Sequence, residues 1–167
     1  MTKNQTKITA ESGKQEVVIT REFNASRELV FKAFIDPMLY SQWQLGPKRL
    51  HFKMILDKFD PQNGGKYRYM HKSPGGHEYA FQGIYHEVFP PERIISTFEF
   101  EGQPEKGHVS LQTFIFKEIS GKRTHLTLKV VFQSVADRDA MLQSGMGEGI
   151  NDSYDVLEEL IVDGSED

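Results

Sequence analysis

The six histidines are the side chains of this sequence best suited to move a proton or hold a metal near neutral pH. His71 and His77 flank a turn, while His51, His86, His108 and His125 are scattered through strands and loops. None falls into HExxH or another close ligand spacing, so they read as structural or surface residues, with no metal site and no cofactor expected. The absence of cysteine removes disulfides, thiolate catalysis and Cys-ligated zinc, and fits a reducing compartment. Gly145-Met146-Gly147-Glu148-Gly149 superficially resembles a phosphate-binding loop, but that loop needs a strand before it and a helix after it. Here the run lies within a helical region, and no nucleotide site follows. Glu87 and Arg21 each share a strand face with apolar residues. An inward face would bury a charge that then needs a partner, whereas a strand end would leave each near water. A buried Glu87 could serve as acid or base, yet nothing nearby in sequence supplies the other half of a mechanism. No catalytic residue is assigned.

The aromatic inventory carries more weight. It runs from Trp43 through Tyr67, Tyr69, Phe81, Tyr85, Phe98, Phe100, Phe114 and Phe116 to Phe132 and Tyr154. One use of such residues is plain core packing. The other is a cavity lined by rings, with tyrosine hydroxyls orienting a ligand, since small-molecule sites are apolar pockets with a few placed polar groups. On that reading the ligand-binding residues are Trp43, Tyr69, Phe81, Tyr85, Phe98, Met146 and Ile150.

These residues need elements to hold them. Leu142, Met146, Ile150, Tyr154, Leu157 and Ile161 recur at steps of four and three, which places them on one helical face. Gly145, Gly149 and Ser153 run along its edge. Glycine in a helix costs about 1 kcal/mol against alanine, so two on one line signal a close approach or a space. Gly145 also marks a kink or junction after a short turn capped by Ser134. Upstream, Glu16 to Phe23 alternates as a strand, with Val17, Ile19, Arg21 and Phe23 on one face. Two short helices follow: one capped by Ser26, and one starting at Asp36-Pro37, carrying Leu39 and Trp43, and stopped by Gly46-Pro47. Strands are then predicted over 50–59, 66–72, 79–88, 93–101, 109–118 and 123–132, separated by Gly- and Pro-rich turns such as Asn63-Gly64-Gly65. Short connections without crossover helices require antiparallel pairing. The fold class is α+β: a seven-stranded curved antiparallel sheet wrapped around a long C-terminal helix.

With 167 residues, the chain reads as one domain over 15–163, after a mobile polar segment 1–14 and before an acidic tail 164–167. A net charge of −4 and a pI near 5.9 argue against nucleic acid as partner. No apolar run reaches the roughly 20 residues that span a bilayer, and the N-terminus lacks a signal-peptide core. A cytoplasmic protein without membrane insertion is expected.

Arg21-x-Phe23, Arg27-Glu28-Leu29-Val30-Phe31, Asp36-Pro37 and Trp43 resemble the opening of the START-like superfamily called SRPBCC. Within it the chain resembles the group of homologues named after the activator of the heat-shock-protein-90 ATPase. Gly64-Gly65, Phe81-x-Gly83-x-Tyr85-x-Glu87, Pro91-Glu92-Arg93-Ile94, Arg138-Asp139-Ala140-Met141-Leu142 and Ser153-Tyr154-Asp155-x-Leu157 follow in that group's order. The resemblance implies a helix-grip fold, often with a cavity between sheet and final helix. Two positions depart from the family pattern. Ser26 stands where a proline is usual, and Gln44 where a second aromatic often follows Trp43, at the mouth or roof of any cavity. The expected function is non-enzymatic binding of a small hydrophobic or amphipathic ligand. The family name implies an alternative, a stress-response module acting on a chaperone ATPase, although the companion domain of the eukaryotic co-chaperone is missing. A third reading is a cyclase- or hydrolase-like enzyme.

Overall fold

The computed structural model describes residues 4–46 and 51–164. A short strand, Lys7–Thr9 (β1), leads into Glu16–Phe23 (β2), whose alternation buries Val17, Ile19, Arg21 and Phe23. Two helices then turn the chain. Arg27–Ile35 (α1) starts at Ser26, whose Oγ accepts the Leu29 backbone N–H at 3.3 Å, and buries Val30, Phe31, Ala33 and Phe34. Asp36 ends it and caps Pro37–Trp43 (α2), its Oδ1 accepting from the N–H groups of Met38 and Leu39 at 2.9 and 3.1 Å. An N-cap of this kind satisfies amide donors that a helix leaves without internal partners. The Trp43 indole N–H donates to the Ala33 carbonyl at 2.8 Å, locking α2 against α1.

Six hairpin-connected strands follow: Lys53–Phe59 (β3), Lys66–Lys72 (β4), Glu78–Phe89 (β5), Arg93–Phe100 (β6), Ser110–Ile119 (β7) and Arg123–Val131 (β8). Together with β1 and β2 they form one sheet in the order β1-β2-β8-β7-β6-β5-β4-β3, antiparallel at every pairing. The sheet therefore has eight strands rather than the seven read from sequence. The extra one is β1, inside the segment expected to be mobile. All of its side chains are exposed, so it shows no hydrophobic alternation and forms through backbone pairing with Val18 to Thr20.

The C-terminal helical region is two helices, Val135–Gln143 (α3) and Met146–Gly164 (α4). Gly145 between them has φ +91°, a conformation that interrupts a right-handed helix and that glycine adopts without steric penalty. Leu142 therefore belongs to α3, and the long apolar face begins at Met146. From α4, Tyr154, Leu157 and Ile161 enter the same core as Val17, Ile19, Phe23 and Leu126, with the Tyr154 ring edge-on to Phe23 at 5.6 Å. Arg21 lies on the inward face with its guanidinium fully buried. It is held by Asp155 at 2.9 Å and Glu158 at 2.5 Å, both on α4. The final helix is thus fixed over the β2–β8 side of the sheet. Pro47, Leu50 and residues 165–167, for which a helix stop, a strand and an acidic tail were expected, lie outside the described residues.

Candidate functional site

Because α4 covers one side of the sheet, the inward faces of β4 to β7 open into a cavity of about 400 Å³, partly open to solvent. Its walls come from α2, β4, β5, β6, β7, β8 and the start of α4. Trp43, Tyr69, Phe81, Tyr85, Phe98, Met146 and Ile150, the seven side chains singled out by pattern alone, all line it.

The strand side is a ladder of rings. Register places Tyr69 opposite Phe81, and the two stack at 5.1 Å and 27°. Phe98 continues the ladder against Phe81 at 5.6 Å and 27°. Tyr67 joins from the other end, 6.1 Å from Tyr69 and 16° from parallel. Its hydroxyl donates to the Thr97 carbonyl at 2.5 Å, passing over Gly83, where a Cβ would stand 2.0 Å from that carbonyl oxygen. The glycine of the Phe-x-Gly-x-Tyr pattern is thereby explained as a close approach of backbone and ring.

One wall is polar. Gln44 Nε2 donates to the Tyr69 hydroxyl at 2.8 Å, while Gln44 Oε1 meets His71 Nε2 at 2.6 Å. Ser153 of α4 donates to the Gln44 carbonyl at 2.8 Å. Burial holds the His71 pKa down to about 4, so the ring is neutral at pH 7 and donates Nε2–H to the amide oxygen. Burial likewise pushes the hydroxyls of Tyr40, Tyr67, Tyr69, Tyr85 and Tyr154 well above the ordinary tyrosine range. All stay protonated and able to donate. No Asp, Glu, Lys or Arg lines the cavity among the described residues.

Other residues of the polar lining escaped the sequence reading. His71 and Tyr67 share the β4 face with Tyr69, and that alternation was the available signal. Ser96 and Gln112 gave none, because only strand register brings them beside Tyr85. Glu87 does not point into the cavity: β5 bulges between Tyr85 and Glu87, which turns the carboxylate outward to Arg93, with contacts of 2.7 and 3.1 Å. A bulge adds one residue to one strand and so shifts the alternation beyond it. Of the small-residue stripe, Gly149 borders the cavity with nothing within 4 Å of a Cβ, while Gly147, off that stripe, is the close approach, 2.6 Å from Ile8 Cδ1. Among the described residues no cluster of His, Asp or Glu is arranged to hold a metal, and no helix is long and apolar enough to cross a membrane.

Residues 24–161 match the model of a family described as Activator of Hsp90 ATPase homolog 1-like protein. A solved structure from Rhodobacter sphaeroides is 23% identical, with TM-score 0.83 over 95% of this chain and 98% of its own. A protein from Mycobacterium smegmatis is 22% identical, with TM-score 0.81 over 92% of this chain and 94% of its own. A solution structure from Staphylococcus epidermidis is 23% identical, with TM-score 0.78 over 93% and 94%. At these identities the likeness is one of fold. No curated protein matches the sequence.

Proposed function

The chain belongs to the family described as Activator of Hsp90 ATPase homolog 1-like protein, and from that premise we propose that it is a non-enzymatic binding protein for a small hydrophobic or amphipathic molecule held between the sheet and α4. The observation that carries this is the cavity of about 400 Å³ lined by stacked rings and by a few oriented polar groups. Its size lies within the range of small-molecule sites, and its mixture of apolar walls with a handful of hydrogen-bonding groups is typical of them. A fully packed core of the same composition would leave no such volume.

Trp43, the only tryptophan, lines the cavity and so reports on its contents. Titration with the neutral dye N-phenyl-1-naphthylamine is expected to quench Trp43 emission saturably and to give a one-to-one complex by native mass spectrometry. Unchanged Trp43 emission and no complex, across a panel of apolar and amphipathic compounds up to their solubility limits, would remove the reading.

A further inference from the structure

Across the cavity floor, three polar side chains stand in one row on neighbouring strands. Tyr85 of β5 lies opposite Ser96 of β6, and Ser96 lies opposite Gln112 of β7. All three line the cavity, and Tyr85 and Ser96 are only 6% and 3% exposed. Neither hydroxyl, nor the Gln112 amide, has a hydrogen-bond partner among the described residues. The Tyr154 hydroxyl, on the helix side of the cavity and 4% exposed, is in the same condition. Other polar groups of the lining differ: Tyr67, Tyr69, Gln44, Ser110 and Ser153 are all engaged within the protein.

These hydroxyl oxygens are not sealed off, since among the described residues the buried side-chain polar atoms without a partner are the Nε atoms of Arg21 and Arg27. They open onto the cavity, where only water or a ligand can supply their hydrogen bonds. A row of them facing an open volume is a place for oxygen atoms that are not the protein's own. Water occupies such a site readily, and a ligand oxygen that reproduces the water's hydrogen bonds displaces it at little loss. The row offers hydroxyl donors and acceptors and one amide, and no charge. A carboxylate, phosphate or ammonium placed there would be desolvated without a counter-ion. The neighbouring Tyr69, Phe81 and Phe98 rings lie roughly parallel, a surface that a flat ring system extends by offset stacking.

We propose that the ligand is an uncharged fused-ring or aromatic compound whose hydroxyl or carbonyl oxygen sits on the Tyr85–Ser96–Gln112 row, an assignment that rests on the cavity being a ligand site. The row sets polarity and orientation; the aromatic ladder sets shape.

Three matched probes test it: phenanthrene, 9-phenanthrol and phenanthrene-9-carboxylate, each titrated at pH 7 by displacement of N-phenyl-1-naphthylamine. The phenol is expected to bind about tenfold more tightly than the hydrocarbon, the effect of one or two hydrogen bonds, and at least tenfold more tightly than the carboxylate. In a Ser96→Ala, Gln112→Leu double variant the preference for phenol over hydrocarbon should fall to about one or reverse. Tyr85→Phe, which removes one hydroxyl and keeps the ring, should reduce it about two- to fivefold. The order of the three probes on the unaltered protein decides the matter even if a variant fails to fold. Equal binding of phenol and hydrocarbon, or tightest binding of the carboxylate, overturns the role of the row and leaves the cavity as a ligand site. Failure of all three, together with the dye, overturns both.

Discussion

At the scale of single residues, two positions show how the cavity is shaped by what it excludes. Gly83 lies under Tyr67, and a Cβ there would fall 2.0 Å from the Thr97 carbonyl and 2.5 Å from the Tyr67 ring and hydroxyl. The carbonyl is backbone and can yield only if β5 and β6 part locally, while relieving the ring contact costs Tyr67 its hydrogen bond to Thr97. Gly83→Ala is expected to destabilise the protein by about 1–3 kcal/mol in chemical denaturation, as overpacking does. His71 excludes a proton. Its pKa in the fold, about 4, lies below the ordinary 6.5, so the unfolded chain binds the proton more readily. The sign follows: the His71 contribution is complete above pH 6.5 and is lost as pH falls toward 4. Over that interval the protein should lose about 1–3 kcal/mol more than a His71→Phe variant, measured by denaturant titration at each pH. Equal acid slopes in the two proteins would mean that His71 stays solvated in the fold. The alternation of Tyr67, Tyr69 and His71 makes this face legible in the sequence. The depressed pKa is not, because it comes from burial of the ring, which only the folded arrangement of strands and helices creates.

At the scale of elements, α4 is held to the sheet by apolar packing and by one buried cation. Arg21 reaches Asp155 and Glu158 from β2, also donates to Thr6 at 3.1 Å, and has a guanidinium that is entirely buried. Two carboxylates around one arginine make the cluster sensitive to loss of the cation, since the acids would then remain side by side without it. Arg21→Met is expected to cost about 3–5 kcal/mol. Converting Asp155 and Glu158 to Asn and Gln in the Arg21→Met background should recover part of that loss, because the charges then leave together. A cost below about 1 kcal/mol would show that the acids are satisfied by water and that the arginine does not fix the helix. The elements themselves were largely readable: both early helices carry their caps in sequence, and the period of α4 is plain from Met146 to Ile161. Two features were hidden for physical reasons: strand β1 has no buried side chain, and the β5 bulge is a matter of backbone pairing. The break before α4 was marked by Gly145, although the apolar period runs on through it and its start at Leu142 therefore misled.

At the scale of the whole molecule, the cavity is a departure from close packing that the fold tolerates. The seven lining residues chosen from sequence were reachable because aromatic content and helical spacing point to the interface between sheet and helix. Ser96 and Gln112 were not, since short polar residues in strands acquire meaning only from register. Space left open in a core is a reserve of stability that has not been used. Gly149, itself exposed, lies at the mouth of that space. It lies inside α4 and borders the cavity, and a Cβ would meet nothing within 4 Å, so neither backbone strain nor crowding opposes a side chain. Gly149→Ala should therefore stabilise the protein by about 0.5–1 kcal/mol through helix propensity alone. Gly149→Leu should keep most of that gain and place an apolar side chain at the cavity mouth, weakening N-phenyl-1-naphthylamine about tenfold as read from Trp43 quenching. Stability and binding would then move in opposite directions in one series, as expected where a void is kept for a ligand. Were Gly149→Leu to destabilise the fold, or to bind the dye as tightly as the parent protein, the volume beside α4 would not be the space the ligand occupies.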